Sequence, residues 1–485
     1  MRLSPETCSR ARLARDQRFD GLFYTAVKTT RIFCRPICPA RAPLEKNVEY
    51  FRTAAEAATA GYRPCRRCRP DAAPGSPAWG LVGTTVQRAL ALMRSEREGL
   101  SVESLAARLG ISSRYLRRLF NEHLGMSPLQ YWQVERVMFA LGLLRETRLP
   151  VAQVAFEAGF NSTRRFNAVF REICHRTPSD VRQDGQAGTA VSGGVRFYLP
   201  YRPPFDWRQL LAFFRVRALR GVEEVIDGVY LRSFCLEGGE PGVLRVSDDT
   251  AAHRLVVELD SGDARGLYVL NQRLRRLFDL DSDTGEIGQV LSADPLLAQQ
   301  LQRLPGVRLP GAWDPFEYAL RAILGQQISV AAATTIAGRL VERYGGRFVD
   351  TSGREWRLFP AAGQLAGVDF EGLGVTRARA ATLRAFVAAA LEGQVDFTET
   401  DLERWCSQLT ALPGIGDWTA QYIAMRGLSL PDAFPASDLG ILQALGEGGD
   451  RATPGAARAR AEQWRPWRSY GALLLWQSLQ TGDNK

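Results

Sequence analysis

Four cysteines stand in two close pairs near the amino terminus, Cys34 and Cys38 in FCRPICPAR and Cys65 and Cys68 in RPCRRCRP. Thiolates paired at these spacings suit the tetrahedral coordination of one zinc ion. A segment of about 70 residues gains much of its folding free energy from such an ion. Spacing alone favours a purely structural knuckle. The crowding of Arg31, Arg35, Arg41, Arg63, Arg66, Arg67 and Arg69 around the ligands is not needed for folding, however, and suits docking on phosphates. A second candidate centre lies far along the chain. Leu412-Pro413-Gly414-Ile415-Gly416-Asp417 reads as a tight hairpin between apolar helices, and Asp438 in FPASDLGILQAL heads a new helix beyond it. Such a hairpin turns backbone N–H groups toward a phosphate and carbonyls toward a monovalent cation. Gly-Ile-Gly alone is weak evidence, and Asp438 alone is equally an N-cap; the two uses are compatible.

The elements that must hold these residues can be read from periodicity. In 101–128, Leu105, Ala106 and Leu109, then Leu116, Leu119 and Phe120, recur at threes and fours. Gly110 falls in a turn, and Ser112, Ser113, Arg114, Arg117 and Arg118 follow on a second helix, the pattern of a helix-turn-helix. Residues 149–182 repeat it, with Gly159 in the turn and Asn161, Ser162, Thr163, Arg164 and Arg165 after it. GVYLRSF (228–234), GVLRVS (242–247) and HRLVVEL (253–259) predict short antiparallel strands. From about residue 280 onward helical spacing dominates. PDAAPGSP (70–77) and QDGQAGTAVSGG (183–194) read as linkers. The expected architecture is multidomain, mainly α with α+β parts. It comprises a zinc-binding segment and linker at 1–77, an all-α block at 78–182, the linker 183–194, a sheet subdomain at 195–280 and an all-α body at 281–485.

Length and charge agree with that division. A chain of 485 residues exceeds what one core usually serves. Residues 1–75 hold 15 Lys and Arg against 7 Asp and Glu, and residues 84–182 hold 15 against 9, whereas 183–485 is slightly acidic. A basic amino-terminal third suits a polyanionic partner, nucleic acid first, and on charge alone is equally a solvated basic surface. No long apolar run suggests a membrane span, and the amino terminus lacks the apolar core of a secretory signal. A cytoplasmic protein with eight reduced cysteines is expected. Three histidines leave little room for a His-rich metal site.

Beyond these physical readings, FDGLFYTAVKTTRIFCRPICPAR and AAGYRPCRRCRPD resemble the amino-terminal zinc domain of the Ada family. That resemblance implies one zinc ion held by Cys34, Cys38, Cys65 and Cys68, with Cys34 accepting a methyl group from a methylphosphotriester in DNA. Arg35, Arg66 and Arg67 would then face DNA. The helical block, with its FN-S-x3-F-x3-F-R run, resembles the AraC-type DNA-binding domain. It implies that Arg114, Arg117, Arg118, Arg164 and Arg165 read bases or grip phosphate. Cys174-His175-Arg176 echoes the Pro-Cys-His-Arg motif of O6-alkylguanine methyltransferases, but Ile173 replaces the proline and the tripeptide falls at an AraC-type turn, so it is read as structural.

The remainder resembles the AlkA-type helix-hairpin-helix 3-methyladenine DNA glycosylases, through LPYRPPFDWRQLLAFFRVRALRGVE, FEYALRAILGQQISVAAA and QWRPWRSYGALLLW. The match implies that Asp438 is the catalytic carboxylate and that Phe213, Trp418, Tyr422 and Trp476 line a base pocket. It implies that Gly414 and Gly416 bind the DNA backbone, and it sets Gln327 where the family carries an apolar wedge. Lys28, Lys46 and Lys485 are the only lysines, so none is placed for Schiff-base chemistry and a hydrolytic enzyme is expected. The combined reading is alkylation repair and response on alkylated and promoter double-stranded DNA, with RNA polymerase as a candidate further partner and no membrane. Its rivals are a regulator whose carboxyl-terminal body binds DNA without excising bases, and a repair enzyme that uses its helix-turn-helix units only for docking.

Overall fold

The computed structural model describes residues 3–68, 70, 84–95, 101–184, 194–236, 239–260, 265–446 and 450–481. Both expected linkers lie largely, and Arg69 wholly, outside them. The chain forms two compact units, Met1–Pro203 with Phe234–Arg275, and Pro204–Ser233 with Arg276–Lys485.

The first unit begins with α1 (Pro5–Ala14) and a four-stranded sheet of order β3-β1-β2-β4. Its strands are β1 (Tyr24–Val27), β2 (Ile32–Cys34), β3 (Val48–Phe51) and β4 (Arg63–Pro64), with α2 (Ala54–Thr59) before the last. Tyr24, Ala26, Phe33, Ala57 and Tyr62 form the small core beneath. Six helices carry the two helix-turn-helix units: α4 (Val102–Arg108), α5 (Ser113–Leu124), α6 (Pro128–Glu146), α7 (Val151–Glu157), α8 (Thr163–Cys174) and α9 (Pro178–Asp184), preceded by α3 (Thr84–Ser95). The second helix of each unit starts at a serine, Ser112 or Ser162, whose hydroxyl accepts from a backbone N–H three residues on. Gly110 and Gly159 take the left-handed turn conformation, with φ of 69° and 79°. Leu116, Phe120 and Leu124 are buried at helical spacing, which leaves Arg114, Arg117 and Arg118 on the open face.

This unit runs past the boundary expected near 182. β5 (Val195–Pro200) pairs antiparallel with β9 (Arg254–Leu259), which pairs with β8 (Gly242–Asp249). β5 lies outside the three strands read from sequence. α6 packs on β5, and Arg136 of α6 is wholly buried with its guanidinium 3.4 Å from the Tyr268 ring centroid. Tyr268 belongs to α11 (Leu267–Leu277), whose first amide donates to buried Glu157 at 2.9 Å. Buried charged groups of this kind hold only where partners are fixed, so α11 is tied to the helical block.

The second unit opens with α10 (Trp207–Arg215) and the hairpin β6 (Glu223–Ile226) and β7 (Val229–Phe234). Then come α12 (Thr284–Leu291), α13 (Pro295–Arg303), α14 (Pro315–Leu324), α15 (Val330–Tyr344), the hairpin β10 (Arg347–Val349) and β11 (Glu355–Arg357), and α16 (Arg377–Leu391). α17 (Leu402–Thr410), α18 (Asp417–Gly427), α19 (Leu439–Ala444), α20 (Pro454–Ala461) and α21 (Arg468–Thr481) complete it. Arg232 on β7 pairs with Glu223 and with Glu317 of α14, and Arg321 contacts the same two carboxylates, which locks hairpin to helix. Asp279 accepts from the Leu309 amide (2.9 Å) and the Tyr470 hydroxyl (2.8 Å). Burial pushes its carboxyl up to about 6, although nearby Arg308 pulls the other way.

A carboxyl raised on folding binds more protons in the native than in the unfolded state, so it favours folding as pH falls through 6. Thermal unfolding of the second unit should gain about 1 kcal/mol from this group between pH 7.5 and 5. Asp279→Asn should flatten that rise, because the lowered carboxylates such as Asp294 stay ionised throughout the window.

Candidate metal centre and candidate active site

β2 and β4 run parallel, with Ile32 opposite Arg63 and Phe33 opposite Pro64. The residues that follow both strands therefore leave the sheet at the same end, and these are Cys34 and Cys65. A turn closed by Cys38 N–H on the Arg35 carbonyl (3.1 Å) brings in the second cysteine of the first pair. All four sulfurs lie within 4.8 Å of one another. A tetrahedron with Zn–S bonds near 2.3 Å has edges of roughly 3.8 Å, so the donor set fits a zinc ion after slight contraction. Thiol hydrogen bonding from Cys34 draws Cys38 down to about 7 and Cys65 lower still, while Cys34 and Cys68 are pushed up. Four thiols this close cannot ionise together without a cation among them.

Arg35 turns inward. Its backbone N–H donates to Cys68 Sγ (3.3 Å), its guanidinium to the Cys68 carbonyl (3.2 Å), and its Nε to both oxygens of buried Asp20 (2.9 and 3.0 Å). The residue expected at the DNA surface is here a brace for the cysteine cluster. Arg66 and Arg67 are exposed, and with Cys34, Cys38 and Cys65 they line a cleft of about 1000 Å³. Among the described residues that line it there is no carboxylate. On the helix-turn-helix units Arg114, Arg117, Arg118, Arg164 and Arg165 are all exposed; Arg117 pairs with Glu103 (2.8 Å) and Arg118 with Glu122 (3.5 Å).

In the second unit, α17 and α18 form the expected hairpin. Gly414 has φ 81°, and a Cβ there would lie 2.0 Å from Thr382 Oγ1 on α16. Only glycine permits that approach. Asp438 is the N-cap of α19. Its Oδ1 accepts from Ile441 N–H (3.0 Å) and Trp476 Nε1–H (2.8 Å), and its Oδ2 from Trp418 Nε1–H (2.9 Å). Gly440 leaves space beside it, since a Cβ there would meet Trp476 Cδ1 at 3.2 Å. A cleft of about 590 Å³ runs from Gly414 and Gly416 past Trp418 to Asp438. Gln327, exposed and left-handed at φ 59°, lines it as well. Sequence reasoning missed Gln326, whose amide donates to the Gly414 carbonyl (3.1 Å) and to Thr419 Oγ1 (3.0 Å). It also missed Arg379, which holds the Gln326 carbonyl.

The four candidate pocket aromatics are half-buried. Trp418 stacks on Tyr422 (5.1 Å between centroids, 13°), and Trp476 stands edge-on to Tyr422 at 6.0 Å. Phe213 joins them through buried Arg426, whose guanidinium lies 4.2 Å from the Phe213 ring centre, 5.9 Å from Tyr422 and 5.8 Å from Trp476. Arg217 covers Phe213 too, at 3.9 Å. Burial pushes the Tyr422 phenol up, but Arg426 and Arg217 outweigh it and hold it below its ordinary value. Trp418, Tyr422 and Arg426 recur every four residues along α18, a stripe that was readable in the sequence.

Three family models match the chain: the metal binding domain of Ada over residues 7–71, a helix-turn-helix domain over 105–184 and the AlkA N-terminal domain over 196–314. A probable bifunctional transcriptional activator/DNA repair enzyme AlkA of Mycobacterium tuberculosis is 42% identical over 99% of this chain and 97% of its own length. DNA-3-methyladenine glycosylase 2 of Escherichia coli is 37% identical over 58% of this chain and 96% of its own. Among solved structures, a 3-methyladenine DNA-glycosylase from Archaeoglobus fulgidus superposes with a TM-score of 0.53, at 22% identity over 60% of this chain and all of its own, a likeness of fold. Among the described residues no helix is long and apolar enough to cross a membrane.

The hairpin geometry is directly testable. Gly414→Ala should destabilise the second unit by about 1–3 kcal/mol, from the left-handed backbone and the clash with Thr382. Gly416→Ala, with nothing within 4 Å of the new Cβ, should change stability by less than about 0.5 kcal/mol in the same denaturant titration.

Proposed function

We propose how the two centres divide the work, starting from the fact that the chain belongs to the bifunctional transcriptional activator/DNA repair AlkA family. It is a DNA repair and transcription protein that joins a zinc-binding domain, a helix-turn-helix DNA-binding domain and a 3-methyladenine-type DNA glycosylase. The observation that carries the glycosylase mechanism is a carboxylate fixed by three N–H donors at one end of a cleft whose other end is the glycine hairpin. DNA phosphates meet the hairpin amides, and the damaged nucleotide swings out toward Asp438. A monovalent cation would sit on the hairpin carbonyls, of which that of Gly414 already accepts from Gln326.

Alkylation at N3 or N7 of a purine places positive charge on the base and weakens its glycosidic bond. As the base leaves, the sugar becomes an oxocarbenium ion. Asp438 stabilises that charge through space. Both its oxygens already accept N–H donors, so electrostatic stabilisation is its main part, and proton abstraction from the attacking water a lesser one. Arg426 and Arg217 already occupy ring faces in the aromatic set, so base binding rests on stacking more than on cation–π attraction. With no lysine between residues 47 and 484, the enzyme is monofunctional and leaves an abasic strand uncut.

At the other centre Cys34, Cys38, Cys65 and Cys68 would hold zinc, which would keep their thiols ionised at neutral pH. Cys34 sulfur attacks the methyl carbon of a methylphosphotriester. The S–C bond forms, the C–O bond breaks, and the electron pair stays on the phosphodiester oxygen. One unit of negative charge is thereby lost from the cysteine cluster, which strengthens promoter binding and, with RNA polymerase as partner, activates transcription in the cytoplasm.

Asp438→Asn should lower single-turnover base release by about 100- to 1000-fold. Its new amide also faces an indole N–H, at a cost of about 1 kcal/mol in stability. Affinity for alkylated DNA should hold; release at the wild-type rate would remove Asp438 from the chemistry. At the zinc centre, peptide mass mapping after incubation with methylphosphotriester DNA should find one methyl on Cys34 and none on Cys38, Cys65 or Cys68.

A further inference from the structure

The rings proposed to hold the base are backed by charge of the same sign as an alkylated purine. Arg426 is 2% exposed, its Nη1 donates to the Pro310 carbonyl (3.0 Å), and among the described residues it makes no ion pair. Arg232 and Arg468, buried in the same unit, are each paired with two carboxylates. Arg217, also without an ion pair among the described residues, lies 3.9 Å from the Phe213 ring centre and donates to the Phe213 carbonyl (3.3 Å). Arg321, which donates to the Arg217 carbonyl, has its own charge met by Glu223 and Glu317. The same rings carry the opposite charge at another edge. Trp476, 5.8 Å from the Arg426 guanidinium, donates its Nε1–H to Asp438 (2.8 Å). Trp418 donates to Asp438 (2.9 Å) and stacks on Tyr422, whose ring centre is 5.9 Å from Arg426. The Tyr422 phenol feels both ends: burial raises it, Arg426 and Arg217 hold it below its ordinary value, and Asp438 acts against them.

We propose that Arg426, supported by Arg217, sets a fixed electrostatic gradient across the base pocket, positive behind the base and negative at the sugar, which drives electrons onto the departing base. The inference rests on the base pocket and the role of Asp438 described above. When the C1′–N9 bond breaks, its electron pair stays on the base and the sugar becomes cationic. Water then adds to C1′ and gives up a proton to solvent. A purine alkylated at N3 or N7 thus enters as a cation and leaves neutral. A fixed cation behind the rings repels the bound ground state, and that repulsion fades as the bond opens. It therefore weakens binding and speeds cleavage. Asp438 does the converse at the sugar, where positive charge grows. A guanidinium suits this duty, since it stays charged when buried and can lie flat on a ring. A pocket built only for affinity toward a cationic base would instead match each buried arginine with a carboxylate, as Arg232 and Arg468 are matched.

The test uses the full chain and three duplexes, carrying 7-methylguanine, its cleavage-resistant 2′-fluoro form, or neutral 7-deaza-7-methylguanine of the same shape. Arg426→Met should slow single-turnover release of 7-methylguanine about tenfold, while affinity for the cationic 2′-fluoro duplex rises about fivefold relative to the neutral one. Arg426→Lys keeps the charge without the planar fork and should recover most of the rate. Arg217→Gln, at a half-buried position, should move both readouts the same way by a smaller factor, and it carries the test if thermal unfolding shows that Arg426→Met does not fold. An unchanged ratio of the two affinities, or an unslowed release, in these variants would overturn the proposal and leave Arg426 a packing residue. The pocket itself is judged separately. Trp418→Ala should weaken binding of both uncleaved duplexes alike; wild-type affinity for both would mean that these rings do not hold the base. A wild type that releases no 7-methylguanine would refute the glycosylase reading, and the affinity ratio would still decide whether the gradient exists.

Discussion

Both chemical centres of this protein are negatively charged, and both must work on a polyanion. Four cysteine thiolates around zinc carry a formal charge of −2, and Asp438 carries −1. The two sites meet this constraint in different ways. The cysteine cluster is set in an arginine-lined cleft, which suits the approach to a phosphate group that the proposed methyl transfer requires. Asp438 has no cationic partner within ion-pair distance among the described residues; its charge is balanced only by the N–H dipoles of Trp418, Trp476 and Ile441. A counter-ion there would screen the charge that, in the proposed mechanism, acts on the sugar. On that reading the anion proposed to face phosphate is shielded, and the one proposed to face a developing cation is left open.

Arginine serves that end and another besides. With only three lysines in the chain, nearly all positive charge is guanidinium. Arg136, Arg202, Arg232, Arg308 and Arg426 are almost fully buried. They bond to carbonyls and carboxylates or lie on aromatic rings, as a planar fork can and a point charge cannot. The basic composition that points to nucleic acid therefore counts many groups that are buried or half-buried. Arg35 is the clearest case: it belongs by position to the surface set and by contact to the interior.

That example marks where the sequence stops being informative. The cysteine pairs, the serine caps, the turn glycines and the capping aspartate are local, and local chemistry needs only short spacing to be recognised. The helix-turn-helix arginines were legible because the buried stripe of each helix leaves them one face. Contacts between distant segments were not. β5 and β6 are short, and their partners could not be picked from many equivalent alternations. Gln326 meets Gly414 across 88 residues, and Arg426 binds Phe213, Tyr422 and Trp476 into one cluster only once α10, α18 and α21 have converged. The packing of the helical block on residues beyond 182 was hidden for the same reason, since Arg136 and Glu157 bury themselves against Tyr268 and Leu267.

The brace around the cysteine cluster bears on how a change of charge is felt. Asp20 holds Arg35 through its carboxylate and is itself held by buried Arg202 at its carbonyl (3.4 Å), while the Arg35 guanidinium also donates to the Cys68 carbonyl, so Arg35 is pinned. A mobile arginine would follow the charge on sulfur and absorb part of any change. A pinned one cannot. In the proposed methyl transfer, the loss of one unit of charge would then be expressed outward, toward a phosphate in the cleft. At a separation of 4 Å a unit charge is worth about 1 kcal/mol in water and about 4 kcal/mol at the effective dielectric of a protein surface. Rigidity close to the cysteine cluster would let so small a covalent change alter affinity for DNA in the proposed switch.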